Sequence, residues 1–295
     1  MTSSLLPSSL LPRLERLSIV SKHNVRGTTQ GKRRSGHLGA SLEFADYREY
    51  TPGDDIRRFD WGVYRRTGKP FIRQFWDEQE LTFSLYLDVS ASMNFGNKLD
   101  MAKSLAAAAG YVALSSEDKV QAVLLGERPL DKLPPLRGKA SSPRLFTFMK
   151  EASTVQGGNL APAMKQIHAR PGEQGLAWLF SDCWMEGGVH QLRDLLLRLM
   201  SMGQEPILVQ VISREELAPG YSGDLRLVDS ELGSGKEVAM SGKVLKAYER
   251  EVSRYTQELK ECCAGLGARY VQIPSDWPLE KAVFTMLRVA GAAGS

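Results

Sequence analysis

Cysteine and histidine are scarce, three and four among 295 residues. Cys262 and Cys263 are neighbours and Cys183 stands alone, so no disulfide framework is available and a reducing compartment suits the chain. His23, His37, His168 and His190 form no H-E-x-x-H or comparable pair, which removes the common zinc arrangements. Long apolar runs are also missing. The longest, Leu105 to Leu114, is about half of the roughly 20 residues that a membrane-crossing helix needs. The opening MTSSLLPSSLLPRLERL has no basic stretch before its leucines and carries two prolines, unlike a signal peptide. Charge is nearly balanced, 38 basic residues against 34 acidic, too little excess for a nucleic-acid partner to be expected. The expectation is a soluble cytoplasmic protein with no membrane span. Its 42% hydrophobic and 24% charged residues are ordinary for a globular chain.

Charge and rhythm divide the chain near residue 80. Residues 11–75 hold 14 Lys or Arg and 7 Asp or Glu, interleaved with aromatics. Beyond them, apolar runs alternate with helical patterns. We expect a loosely ordered segment over 1–23, a small basic β-rich module over 24–80 and an α/β domain over 81–295. Leu11–Val20 reads as a short helix. In the module, strands Ser41–Tyr50 and Lys69–Phe75 flank the turn Thr51-Pro52-Gly53-Asp54-Asp55. There Asp54 or Asp55 caps a short helical segment, Ile56–Trp61.

In the domain, strands Leu81–Asp88, Val120–Leu125, Leu176–Ser181, Pro206–Ile212 and Arg269–Ile273 are expected. Helices over 98–114, 142–152, 161–169, 189–202, 243–266 and 279–290 lie among them, and Leu225–Val228 with Glu237–Met240 reads as a hairpin at a sheet edge. Such alternation predicts a mainly parallel sheet covered by helices on both faces.

Ligands of an open α/β sheet bind beyond the carboxyl ends of its strands. The first strand ends in Asp88-Val89-Ser90-Ala91-Ser92, which puts one carboxylate and two hydroxyls at that crevice. Hard oxygen donors with few carboxylates suit Mg²⁺ or Mn²⁺. Two further loops are expected to converge there: Gly157-Gly158-Asn159-Leu160, entering a helix, and Phe180-Ser181-Asp182, closing another strand. The same D-x-S-x-S run alone would serve as a capping turn.

This constellation resembles the von Willebrand factor A domain over about 81–275, with Asp88-x-Ser90-x-Ser92 matching its metal-ion-dependent adhesion site. The resemblance implies direct metal ligation by the Ser90 and Ser92 hydroxyls, with Asp88 and Asp182 acting through water or from behind. The family's middle loop carries threonine where this chain has Asn159, whose amide oxygen can also ligate. Upstream, Gly39-Ala40-Ser41-Leu42-Glu43-Phe44 and Arg48-x-Tyr50-x-x-Gly53-Asp54-Asp55-Ile56-Arg57-x-x-Asp60-Trp61 resemble the signature of the domain-of-unknown-function 58 family. That family places this motif directly before a von Willebrand A-like domain. Many members begin with two membrane helices; this sequence looks like the short, soluble type. Members are often encoded beside MoxR-type AAA+ ATPases. The resemblance therefore implies an adaptor or co-chaperone of such an ATPase, with a partner's Asp or Glu completing the metal's coordination.

Arg57, Arg58, Asp60 and Trp61 are candidates for a partner-binding surface. Alternatively they form a local ion-pair and capping network with Trp61 packed beneath it. A metal-independent scaffold binding through the basic module is a second functional expectation. A phosphotransferase using Asp88 as nucleophile is a third, weakened because the general acid/base position two residues on is Ser90. No G-x-x-x-x-G-K-[ST] or G-x-S-x-G run is present. The run Gly31–His37 reads as a solvated basic loop, and Cys183 as an inert thiol at a buried strand end.

Overall fold

The computed structural model describes residues 5–19, 44–75, 81–156, 160–167, 175–219, 223–228, 235–240 and 242–294. They belong to two compact units, one comprising 1–20 with 81–295 and the other 21–80. The larger unit opens with α1 (Leu11–Leu14) and β1 (Leu17–Ile19). The smaller contributes β2 (Phe44–Glu49), α2 (Trp61–Thr67) and β3 (Phe71–Phe75). The larger resumes with β4 (Thr82–Asp88), α3 (Lys98–Ser115), β5 (Lys119–Leu125), β6 (Pro129–Arg137), α4 (Ser142–Glu151) and α5 (Leu160–Lys165). Then come β7 (Gly175–Ser181), α6 (Gly188–Ser201), β8 (Gln204–Ile212), α7 (Arg214–Leu217), β9 (Gly223–Val228) and β10 (Gly235–Met240). Helix α8 (Gly242–Gly265), β11 (Arg269–Pro274), α9 (Leu279–Val289) and β12 (Ala292–Gly294) close the described chain.

Six strands of the larger unit form one sheet in the order β11-β8-β7-β4-β5-β6, parallel except for β6. Alternate side chains split between two cores, as the two-residue strand period requires. Leu85, Leu87, Trp178, Phe180, Val209 and Val211 share one core with α3, α4 and α9. Tyr86, Ala177, Leu179 and Leu208 share the other with α5, α6 and α8. Both faces of the sheet are therefore covered, the expected α/β architecture. Helix α3 is buried nearly all round, and Gly110 permits close approach of α4: a Cβ there would stand 2.5 Å from Leu145 Cδ2.

Strand β6 has no counterpart in the sequence reading. Its run Pro-Leu-Asp-Lys-Leu-Pro-Pro-Leu-Arg would block a central strand. At the outer edge, however, it pairs with β5 alone and absorbs its prolines in two register shifts. The expected hairpin forms, yet β9 and β10 make a two-stranded sheet of their own instead of extending an edge. The segment expected to be loose over 1–23 is packed over its described residues, with Leu6, Leu10, Leu14 and Ile19 in the first core. The helix expected over Leu11–Val20 stops at Leu14. Leu6, Leu10 and Leu14 keep a spacing of four, whereas Leu17 and Ile19 are two apart and enter β1, antiparallel to β12.

In the smaller unit, β2 and β3 pair antiparallel. Asp54 ties the intervening turn by accepting from the Thr51 N–H at 2.8 Å and from Arg48 Nη2 at 2.6 Å. Asp55 caps a 3₁₀ turn over Ile56–Arg58 through the Arg57 N–H. Helix α2 then starts at Trp61, where the expected short segment was to end, because Asp60 accepts the N–H groups of Gly62 and Val63, at 2.8 and 3.0 Å. It ends at Gly68, whose φ of 71° suits a residue without a Cβ.

Candidate metal centre at the sheet edge

Parallel pairing of β4 with β7 sets Leu87 opposite Phe180, so Asp88 and Ser181 leave the sheet side by side. Asp88 is buried, and both of its oxygens are engaged. Oδ1 accepts the Ser90 N–H at 2.9 Å and Oδ2 accepts the Ser181 hydroxyl at 2.6 Å. Ser181 Oγ in turn accepts the Cys183 N–H at 2.9 Å. Asp88 thus braces the Ser90 loop and links it to the loop after β7. Burial, and next the charge on Asp182, push its carboxyl up to about 7.

Ser90 and Ser92 hold their hydroxyl oxygens 3.1 Å apart, Ser90 buried and Ser92 half-buried. Neighbouring ligands of an octahedral Mg²⁺, at roughly 2.0–2.1 Å from the ion, stand about 2.9 Å from each other. The hydroxyl pair therefore fits one edge of such an octahedron. Among the described residues no three His, Cys, Asp or Glu side chains cluster as ligands; what Ser90 and Ser92 could offer a cation is hydroxyl oxygen. That chemistry would suit a hard divalent ion, and the nearest carboxylate is that of Asp88, which accepts the Ser90 N–H.

Asp182 is buried as well. Its Oδ1 accepts the Trp184 N–H at 3.1 Å, and its Oδ2 accepts from the Lys98 ammonium at 2.7 Å. Lys98 has no exposed surface and donates also to Glu216 Oε1 at 2.6 Å. Burial alone would lower the Lys98 pKa, but the charges of Asp182 and Glu216 outweigh it and hold the ammonium above the ordinary lysine value. Glu216 is itself fixed by a capping box: its Oε2 accepts the Ser213 N–H at 2.8 Å, and its own N–H donates to Ser213 Oγ at 3.1 Å. The Asp182 loop is secured from the other side by Gln210 Nε2, which donates to the Asp182 carbonyl at 3.1 Å, and by Tyr255 Oη, which donates to the Cys183 carbonyl at 2.6 Å. Burial pushes the Cys183 thiol well up, which disfavours the thiolate.

Four of the five expected metal-site residues, Asp88, Ser90, Ser92 and Asp182, thus come together at one edge. Asn159 lies outside the described residues, as does the basic run Gly31–His37. The chain leading towards Asn159 does reach the edge, since the Val155 N–H donates to the Val89 carbonyl at 2.8 Å. Sequence reasoning missed Ser181, Lys98 and Glu216. One signal pointed to Lys98: it opens a mostly apolar helix at the end where the helix dipole disfavours a cation.

The candidate partner surface separates differently. Arg57 is exposed, Arg58 half-buried and Trp61 64% exposed, so Trp61 is not packed beneath the network. Its indole leans instead on Phe59, ring centres 4.5 Å apart, with Tyr64 beside both. Asp60, expected on that surface, does not belong to it. It is buried as the cap of α2 and accepts from Arg73 Nε at 2.7 Å and Tyr47 Oη at 3.0 Å.

An uncharacterized protein of Mycobacterium tuberculosis (strain ATCC 25618 / H37Rv) is 26% identical over 292 residues, spanning 96% of this chain and 91% of that protein. An uncharacterized protein of Mycobacterium bovis matches to the same degree. Among solved structures, a von Willebrand factor type A protein from Catenulispora acidiphila aligns with a TM-score of 0.46 at 12% identity, over 74% of this chain and 43% of that one. The conserved hypothetical protein BatB from Bacteroides thetaiotaomicron aligns with a TM-score of 0.42 at 15% identity, over 71% and 98%. No helix among the described residues is long and apolar enough to cross a membrane. The profile of the family described as protein of unknown function DUF58 matches residues 46–258, from β2 into α8. That stretch takes in the capped module and the hydroxyl-bearing sheet edge alike: the chain belongs to the DUF58 family.

Proposed function

We propose that this protein is a non-catalytic adaptor whose binding of a partner protein depends on a divalent cation held by Ser90 and Ser92. The observation that carries the reading is the pair of hydroxyl oxygens 3.1 Å apart on the loop that the buried Asp88 carboxylate braces through the Ser90 N–H. When bound there, Mg²⁺ or Mn²⁺ would supply an electrophilic centre with a coordination position left for a partner's Asp or Glu. Asn159 is the proposed third ligand. Asp88 spends both oxygens on bracing Ser90 and Ser181, which favours a structural role over that of a phosphotransfer nucleophile. Phe95, on the same loop as Ser92 and 47% exposed, offers an apolar contact to whatever docks. From the family resemblance we propose a MoxR-type AAA+ ATPase as that partner, in the cytoplasm.

The experiment is titration calorimetry with MnCl₂ on the full chain and on the Ser90→Ala/Ser92→Ala double variant. A one-site isotherm in the parent that disappears in a folded double variant supports the reading. An isotherm unchanged by the double substitution rejects it. Capture of the ATPase in Mg²⁺ and its loss in EDTA extends the test to the partner.

A second reading is favoured by the exposed aromatics. Ile56, Trp61 and Tyr64 are exposed within nine residues that also hold Arg57 and Arg58, and Arg65 and Arg66 follow. Tryptophan, tyrosine and arginine are the residues that dominate protein interfaces, and the guanidinium groups complement an acidic segment. In this reading the smaller unit docks an acidic protein without metal. Capture that persists in EDTA and vanishes in Trp61→Ala/Arg57→Glu would favour it over the first.

A further inference from the structure

Lys98 is a costly residue in its position. Its ammonium is fully buried, and it sits in the first turn of α3, where the helix dipole opposes a positive charge. The turn that aims it inward is demanding too. Gly96 and Asn97 take successive left-handed conformations, φ of 57° and 58°, and a Cβ on Gly96 would lie 2.3 Å from Ser213 Cβ. Ser275 Oγ donates to the Gly96 carbonyl and holds the turn down. Buried ion pairs are weak sources of stability compared with apolar packing of the same volume, so stability alone is a poor account of this construction.

Charge and geometry at the sheet edge supply a better one. Asp182 Oδ2 faces the Lys98 ammonium at 2.7 Å, while Oδ1 is taken by the Trp184 N–H. The single Lys98 ammonium faces two carboxylates, those of Asp182 and Glu216, so the edge holds more acidic than basic side chains. Lys98 thus already occupies the one Asp182 oxygen that is not held by backbone.

We infer that Lys98 is a built-in counter-cation that competes with the divalent ion for Asp182 and keeps the metal affinity of the edge low. Glu216 is the second seat of the ammonium. It retains Lys98 when Asp182 turns to the metal, so that the Asp182 loop and α7 are mechanically linked through one side chain. The inference rests on Ser90 and Ser92 being the cation ligands, and Lys98 acts on them as a positioning residue through Asp182.

The test is a double-substitution cycle read by MnCl₂ titration calorimetry on the full chain. Lys98→Met keeps the apolar stem and removes the charge; Lys98→Gln is the second choice should the methionine variant fail to fold. We expect Mn²⁺ to bind at least about ten-fold tighter in Lys98→Met than in the parent, and the Asp182→Asn background to reduce that gain to less than about two-fold. An equal gain in both backgrounds would mean a general charge effect and overturn the inference, as would unchanged or weaker binding in Lys98→Met. Binding that appears only once Lys98 is neutralised would support Lys98 as the resident cation while rejecting metal dependence of the native chain. Binding in the parent that Lys98→Met leaves untouched would do the reverse. Absence of binding in every variant overturns both.

Discussion

The two units handle charge in opposite ways. At the sheet edge of the larger unit, Asp88, Asp182 and Lys98 are buried, and each charged atom is matched to a named donor or acceptor. In the smaller unit two carboxylates are consumed internally, Asp54 by Thr51 and Arg48 and Asp60 by the α2 cap and Arg73, while Arg57, Trp61, Tyr64, Arg65 and Arg66 face outward. Burial without water forces pairing. A surface aromatic, by contrast, persists without a partner at little cost to the fold. The contrast teaches where each kind of function would show itself: a change at the edge disturbs fold and binding together, and a change on the module separates them.

The widest gap is between two tryptophans. Trp178 in β7 has no exposed surface and stacks on Phe180 with ring centres 6.0 Å apart. Trp178→Ala should cost about 3–5 kcal/mol in urea unfolding. A loss below about 1 kcal/mol would mean that the first core is not packed as described. Next comes Gly96→Ala, which places a Cβ on Ser213 at a left-handed residue. We expect a loss of about 1–3 kcal/mol, and a wild-type midpoint would show that the turn before Lys98 yields freely.

Acid should act on the module through its carboxylates. The Thr51 N–H and hydroxyl, then Arg48, hold the Asp54 carboxyl at about 2, and Arg73 with the Val63 N–H holds Asp60 well below the usual carboxylate range. A carboxylate depressed in the folded state contributes stability that is complete above its unfolded pKa, about 4, and is lost as pH falls. Tryptophan fluorescence of the full chain should therefore report a loosening between about pH 4 and 2, reduced in Asp54→Asn. An unaltered acid transition in that variant would remove Asp54 from the cause. The smallest effect is expected for Trp61→Ala, under about 1 kcal/mol in the same unfolding assay. A larger loss would make Trp61 a packing residue and end its candidacy as a contact.

Much of this was legible in the chain because it is written locally. Apolar runs at strand length and helices between them fixed the parallel sheet, and Asp88-x-Ser90-x-Ser92 with Ser181-Asp182 marked the edge. What escaped depends on distance or context. Lys98 meets Asp182 and Glu216 across 84 and 118 positions, a pairing that no local period encodes. Strand β6 hides behind prolines that only an outer edge tolerates. Trp61 beside Asp60 gave no hint that one turns outward and the other inward, because a cap selects the aspartate and leaves the indole to the solvent.

The central claim is that the Ser90 and Ser92 hydroxyls hold a divalent ion, and manganese-soaked crystals address it most directly through anomalous scattering. The account predicts one strong peak within about 2.0–2.3 Å of both Oγ atoms. No peak at those hydroxyls in saturating Mn²⁺, with Lys98 still seated on Asp182, would contradict it.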